Sequence, residues 1–185
     1  YGKEIDEHDF IIRSNAARIE GFEEWVGSRT DLRVVSGKTF SSIKFENEGS
    51  PFPSATWFPR LKQEHFLVRS TPYDIDRIFG VYDLHMNGKN KISYIHKDIE
   101  KYCSKTAGSI EATTGFMSIL VGVLLFGKVD IYGYSFYGGN SAASFPSTKY
   151  YCMSPIPCGG NVHSFNGELE ATKQLQNQGL LKWLK

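Results

Sequence analysis

The segment spanning residues 110–136, IEATTGFMSILVGVLLFGKVDIYGYSF, restricts the fold more than any other part of the chain. Thr113-Thr114-Gly115 opens a long apolar run that closes in the strand-like Val129-Asp130-Ile131-Tyr132-Gly133-Tyr134. A polar turn running into a buried helix leaves its first backbone N–H groups without intrahelical partners, and these suit a phosphate or carboxylate oxygen. The same residues also read without a ligand. Thr is an ordinary N-cap and Gly an ordinary turn residue, so taken alone they favour a buried helix-to-strand unit. The run over residues 116–126 falls short of the roughly 18 to 20 apolar residues of a membrane span, and Gly122 and Gly127 interrupt it, so it is expected to be a core helix.

Such a helix needs a core to enter. The 185 residues are 41% hydrophobic and 14% aromatic, which suffices for a single globular domain over 1–185. Lys and Arg total 21 against 20 for Asp and Glu, and the net charge of +1 gives no electrostatic case for nucleic acid or an anionic membrane. Any ligand has to be argued from local groups. Cys103, Cys152 and Cys158 are too few and too scattered for a disulfide framework, and they lack zinc-site spacing. The chain opens at Tyr1 in what reads as a turn before an acidic cluster, as part of a longer protein would; targeting segments are not legible from it.

Strand, helix and strand patterns alternate along the sequence. Residues 9–13 read as a strand, 16–26 as a loop and helical turn with Phe22 and Trp25, and 32–35 as a second strand. Residues 36–72 are rich in Ser, Pro, Gly and aromatics, and within them only 65–68 has strand character. Residues 73–82 fit a short helix whose Asp74 and Asp76 favour its dipole. They also spell the Asp-x-Asp of metal-dependent sugar transferases, but no strand precedes them as that motif requires. Residues 92–95 read as a strand and 97–105 as a helix. Residues 137–161 are loop-like, with three prolines, and loops of this kind often cover a site. Leu169, Leu175, Leu180 and Leu184 suggest an amphipathic helix over 168–184 that ends the chain. The alternation predicts an α/β sandwich with a largely parallel sheet, and no internal repeat is present.

Four ordered segments together resemble the eukaryotic-type sialyltransferases, which move sialic acid from a CMP-linked donor to a sugar hydroxyl. Ile5-Asp6-Glu7-His8-Asp9-Phe10-Ile11-Ile12-Arg13-Ser14-Asn15-Ala16-Ala17, with Val26-Gly27-Ser28-Arg29-Thr30, resembles the latter half of the family's large motif. Thr113 to Tyr134 is similar to its small motif, Lys149-Tyr150-Tyr151-Cys152 to its third, and His163-Ser164-Phe165-Asn166-Gly167-Glu168 to the very small motif of His and Glu five apart. A lone His-x4-Glu carries no weight, whereas four pieces in the family's order make chance a poor explanation. The resemblance implies a Rossmann-like variant of the GT-A glycosyltransferase fold, mostly parallel sheet flanked by helices, in which the first strand and its Gly-Asn turn are missing.

What the resemblance implies for the site is specific. Asn15 would bind the donor nucleotide, since an amide both donates and accepts. Thr113, Thr114 and Gly115 would hold carboxylate or phosphate oxygens. Gly133 and Tyr134 would lie at a strand's carboxyl end, where open α/β sheets bind ligands, with Lys149 and Tyr150 also on the donor. His163 would be the general base that takes the acceptor hydroxyl's proton as it attacks the anomeric carbon. An imidazole titrates near pH ~6.5 in water, and such a step contributes roughly 100- to 10,000-fold. The anomeric configuration would invert, CMP would leave as a stabilised phosphate, and neither cofactor nor metal would be needed. On its own His163 also reads as a loop histidine at a helix start, capped by Ser164 or Asn166. Glu168 either orients the site or favours the first turn of the last helix, the structural reading standing slightly ahead. His8, His65, His85 and His96 read as bystanders.

Several positions depart from the family pattern. Phe126 stands where the small motif usually has a cysteine that pairs with one at the start of the large motif, so that bridge is lost. The loss weakens the Golgi-lumenal placement that the resemblance implies, with a membrane anchor outside this chain, and leaves a cytoplasmic one as the alternative. Lys149 replaces a frequent His, Arg18 a common Pro, and Cys152 a polar or acidic residue. The expected partners are a nucleotide-sugar donor and a glycan acceptor, with no nucleic acid. Two alternatives stay open: a transferase for another CMP-linked acidic sugar such as Kdo, and a non-catalytic CMP-sugar or glycan-binding module of the same fold. An α/β hydrolase lacks support, because there is no Gly-x-Ser-x-Gly elbow.

Overall fold

The computed structural model describes residues 1–15, 17–37, 65–69, 91–134 and 163–184. They fall into two compact units, Tyr1–Ile95 and His96–Lys185.

In the first unit the described elements are α1 (Gly2–Asp6), β1 (Ile12–Ser14), α2 (Glu23–Val26), β2 (Leu32–Val35), β3 (His65–Arg69) and β4 (Lys91–Ile95). The strands form one sheet in the order β1-β2-β3-β4, and every neighbouring pair is parallel. Ile12 pairs with Leu32, Leu32 with His65 and His65 with Lys91. β2 is buried at all four positions, as the uninterrupted Leu-Arg-Val-Val run suggests for a central parallel strand. Val34, Val35, Phe66 and Val68 form the centre of this core.

Two polar side chains join the halves of the motif at 5–17 and 26–30. Asp6, at the end of α1, accepts the Ser28 N–H at 2.8 Å, the Ser28 hydroxyl at 2.9 Å and the Arg29 N–H at 3.2 Å. Burial pulls the Asp6 carboxyl upward, but the Ser28 and Arg29 donors and the Arg13 charge outweigh it and hold it below its ordinary value of 3.8. The buried Arg13 of β1 donates to the Val26 carbonyl at 2.7 Å, the Arg29 carbonyl at 2.8 Å and the Thr30 hydroxyl at 3.0 Å. The expected turn at Tyr1 is instead the start of α1, and the first strand begins three residues later than the pattern suggested.

The second unit contains α3 (Lys97–Thr106), α4 (Thr114–Phe126), β5 (Val129–Tyr132), α5 (Phe165–Asn177) and β6 (Leu181–Leu184). β5 and β6 pair in parallel, Val129 with Leu181 through Tyr132 with Leu184, so β5, α5 and β6 make a βαβ arrangement. The largely parallel α/β character expected from the sequence is thus present in both units.

Two expectations are corrected here. The C-terminal helix over 168–184 is shorter: α5 ends at Asn177 and the chain continues into a strand. Gly179 takes φ 73°, its N–H donates to the Gln176 carbonyl, and the Leu180 N–H donates to the Leu175 carbonyl. This double closure is a Schellman ending, which needs a left-handed residue at that point. The 116–126 run is a core helix only in part. Phe116 through Gly122 are buried, but Leu124, Leu125 and Phe126 are 58%, 59% and 50% exposed at the end of α4. Residues 73–82, for which a short helix is expected, with Asp74 and Asp76, and His85 lie outside the described residues.

Candidate active site

The segment Glu111-Ala112-Thr113, just ahead of α4, organises the site in the second unit. Ala112 is buried, and its N–H donates to the Ser104 hydroxyl of α3 at 3.1 Å, which anchors the segment. Thr113 caps α4 by accepting the Phe116 N–H at 3.1 Å on its hydroxyl oxygen. Its two donors turn away from the cradle. The Thr113 N–H donates to Glu168 Oε1 at 2.6 Å and its hydroxyl to Glu168 Oε2 at 2.7 Å.

Glu168 is 1% exposed, one turn into α5. It is more than a first-turn acid favouring its own helix, because its carboxylate reaches across to the start of α4 and fixes the cap there. Thr113 is therefore committed to Glu168. Two donors then remain at this helix start, the N–H groups of Thr114 and Gly115, and neither has an acceptor among the described residues. The partial positive charge of the helix N-terminus falls on these same groups.

Gly115 also lets an aromatic ring come close. Tyr134 donates its phenolic hydrogen to the Gly115 carbonyl at 3.2 Å, and a Cβ on Gly115 would meet Tyr134 Cε1 at 3.2 Å. Tyr134 follows Gly133, which takes φ 72° directly after β5. The Tyr134 carbonyl accepts the Trp183 indole N–H of β6 at 3.0 Å. Thr114 and Gly115 at the start of α4 thereby lie beside Tyr134, which follows Gly133 at the carboxyl end of β5.

His163 reaches the same segment. Its Nδ1 lies 2.8 Å from the Glu111 carbonyl oxygen. A carbonyl only accepts, so Nδ1 carries the hydrogen and, in the neutral ring, Nε2 keeps its lone pair. The ring is only partly buried and lies edge-tilted against Phe165, with centroids 6.1 Å apart. Ser164 caps α5 by accepting the Gly167 N–H at 3.2 Å, the capping role considered for it in the sequence. His163 and Glu168 thus both attach to one three-residue segment, His163 to its first carbonyl and Glu168 to its last residue. The five-residue spacing spans the entry into α5, which lets one motif hold both groups.

Asn15 belongs to the first unit, where it follows β1. Its N–H donates to the Val34 carbonyl at 2.7 Å and its side-chain oxygen accepts the Ser36 N–H at 3.0 Å. Lys149 and Tyr150 lie outside the described residues. Among the described residues no group of three His, Cys, Asp or Glu could hold a metal ion, and no helix is long and apolar enough to cross a membrane. Three contributors escaped the sequence reading: the Glu111 carbonyl, Trp183 and the buried Arg33. A backbone acceptor has no residue-type signal, and Trp183 falls in a stretch whose leucine pattern suits a helix, whereas it lies in β6. Arg33 left the one usable sign, a charge inside an otherwise apolar strand.

Comparison with known proteins shows the family and the fold. The chain is similar to CMP-N-acetylneuraminate-beta-galactosamide-alpha-2,3-sialyltransferase 1 of Sus scrofa, with 28% identity over 138 residues, covering 72% of this chain and 39% of that protein. It is also similar to Sialyltransferase-like protein 2 of Arabidopsis thaliana, with 26% identity over 135 residues, covering 73% of this chain and 26% of the relative. The chain therefore spans well under half the length of these relatives. A solved structure, described as a mammalian sialyltransferase, superposes with a TM-score of 0.69 at 22% identity, covering 100% of this chain and 63% of the other, which shows the shared fold. The model of glycosyltransferase family 29 (sialyltransferase) matches residues 1–180, and the chain belongs to that family.

Proposed function

We propose that this chain carries the donor and base elements of an inverting, metal-independent sialyltransferase that moves sialic acid from CMP-sialic acid to a glycan hydroxyl. The observation that carries the reading is the shared segment at 111–113. It binds His163 through Nδ1 and, through Glu168, fixes the cap of the helix whose Thr114 and Gly115 N–H groups are left for an anion.

In this mechanism the donor's phosphate or carboxylate oxygens accept from Thr114 and Gly115. Their charge is met by preorganised dipoles, which need no reorganisation as CMP leaves. His163 Nε2 takes the acceptor hydroxyl's proton while the oxygen attacks the anomeric carbon on the face opposite CMP; the C–O bond to phosphate breaks and the configuration inverts. The Glu111 carbonyl stabilises the imidazolium that forms, because the Nδ1–H bond strengthens when the ring gains charge. Asn15 is the nucleotide-binding residue that the family resemblance assigns. The compartment that goes with this reading is the Golgi lumen.

The test is incubation with CMP-sialic acid or CMP-Kdo and a galactoside acceptor, with product stereochemistry read by NMR. Transfer from CMP-sialic acid with inversion is expected, and His163→Ala is expected to lower kcat by roughly 100- to 10,000-fold. Transfer that His163→Ala leaves intact would remove His163 from the mechanism. CMP binding without transfer to any acceptor would make the chain a binding module, and preference for CMP-Kdo would reassign the donor.

A further inference from the structure

The geometry points to Arg33 as a positioning residue for donor recognition, one that holds Asn15 in the turn from which its amide NH2 donates to the nucleotide. This rests on the reading above in which Asn15 contacts the donor.

Asn15 is the only described non-glycine residue with positive φ, at 50°. The left-handed region costs an L-residue energy, and Asn is among the few that enter it readily, so the conformation has to be held by neighbours. β2 and the residue just after it supply three of these contacts. Asn15 N–H donates to the Val34 carbonyl at 2.7 Å, Ser36 N–H donates to Asn15 Oδ1 at 3.0 Å, and Arg33 Nη1 donates to the Asn15 carbonyl at 2.9 Å. The same Nη1 donates to the Ala17 carbonyl at 3.0 Å, so one guanidinium nitrogen spans the turn.

Arg33 is 1% exposed in the middle of a fully buried strand. Burying a guanidinium is costly unless its hydrogens are matched, and two of those matches are carbonyls of the turn carrying Asn15. A Lys ammonium is a point charge on a flexible stem, so it does not hold this bridge in one fixed geometry.

The Ser36 contact fixes the chemistry that Asn15 can offer. A backbone N–H can only donate, so the atom facing it is the amide oxygen, and Nδ2 with its two hydrogens faces elsewhere. The sequence left Asn15 able to donate or accept. Ser36 takes one lone pair of the oxygen and turns the amide so that both Nδ2 hydrogens are left for a ligand. This suits lone-pair oxygens of a nucleotide, on phosphate or ribose.

The test is calorimetric titration of the full chain with CMP, together with separate KM values for donor and acceptor. Asn15→Asp keeps an oxygen for Ser36 but has no hydrogens to donate. It is expected to weaken CMP binding roughly 10-fold or more, the scale of a lost hydrogen bond to a charged group. Arg33→Lys is expected to raise Kd for CMP and donor KM several-fold while leaving acceptor KM unchanged. In the Asn15→Ala background it should add nothing, because it acts through Asn15. Wild-type CMP affinity in a folded Arg33→Lys protein, or losses that multiply in the double variant, would overturn the role of Arg33 while Asn15 stands. If Arg33→Lys does not fold, Arg33→Gln takes its place, and unfolding of both would make Arg33 purely structural and overturn the proposal. If the wild-type chain binds no CMP, or Asn15→Ala binds it unchanged, the donor-site reading fails and the proposal falls with it.

Discussion

Replacing Glu168 with Ala should destabilise the second unit by about 3 kcal/mol. The carboxylate is 1% exposed and accepts two hydrogen bonds from Thr113, at 2.6 Å from the N–H and 2.7 Å from the hydroxyl. Hydrogen bonds to a charged group contribute about 1.5–3 kcal/mol each, so the pair sets an upper bound of about 3–6 kcal/mol. Ala also removes a buried charge that had to be dehydrated, which offsets part of the loss, but it leaves the Thr113 N–H without its acceptor. Glu168→Gln should cost less, about 1 kcal/mol. Its carboxamide oxygen can still accept the Thr113 N–H, and the hydroxyl can rotate to accept from the new NH2 group while keeping its cap on Phe116. The assay is urea unfolding followed by far-UV circular dichroism, in which a true stability change moves the midpoint at constant slope. The contacts also predict coupling: once Glu168 is Ala, Thr113→Val should cost at least about 1 kcal/mol less than it does in the wild type. If Glu168→Ala shifted stability by less than about 0.5 kcal/mol, or the two substitutions were additive, the clamp between α4 and α5 would be refuted as an energetic link.

Gly179→Ala should cost about 1–2 kcal/mol, measured by thermal melting. An added Cβ there meets nothing within 4 Å, so the whole loss comes from the left-handed φ of 73°. Gly179→Asn should lose less, and an unperturbed Ala variant would argue that the helix runs on past Asn177. Asp6→Asn should lower stability at neutral pH, with the gap to the wild type closing as pH falls below 3.8, read from urea midpoints across a pH series. The sign follows from a folded pKa below the unfolded one: the native state holds its carboxylate more strongly, so the benefit is present above the unfolded pKa and is lost as the native carboxyl protonates. A gap independent of pH would mean that the ionised form of Asp6 is not what Ser28 and Arg29 stabilise.

Local chemistry in the sequence determined a good deal. Leu32-Arg33-Val34-Val35 is a buried parallel strand because nothing in it tolerates exposure except Arg33. Thr113 caps α4 because a hydroxyl before an apolar run does so whatever surrounds it, and the order of the four motif pieces carried the family. Residues 168–184 were misread because leucines at uneven spacing can serve a helix or a strand. The choice was made by Gly179, whose turn frees Leu181–Leu184 to pair with Val129–Tyr132, a partner some fifty residues away that no local pattern announces. The roles at the site were decided the same way. Thr113 and Glu168 each looked able to face a ligand, and they face each other instead across 55 positions of sequence. Asn15 looked able to turn either end of its amide to a ligand until Ser36 fixed which way the oxygen faces. Residue type states which hydrogen bonds a side chain can make; which of them remain for a ligand depends on the partners the fold brings within 3 Å, and only the tertiary structure supplies those.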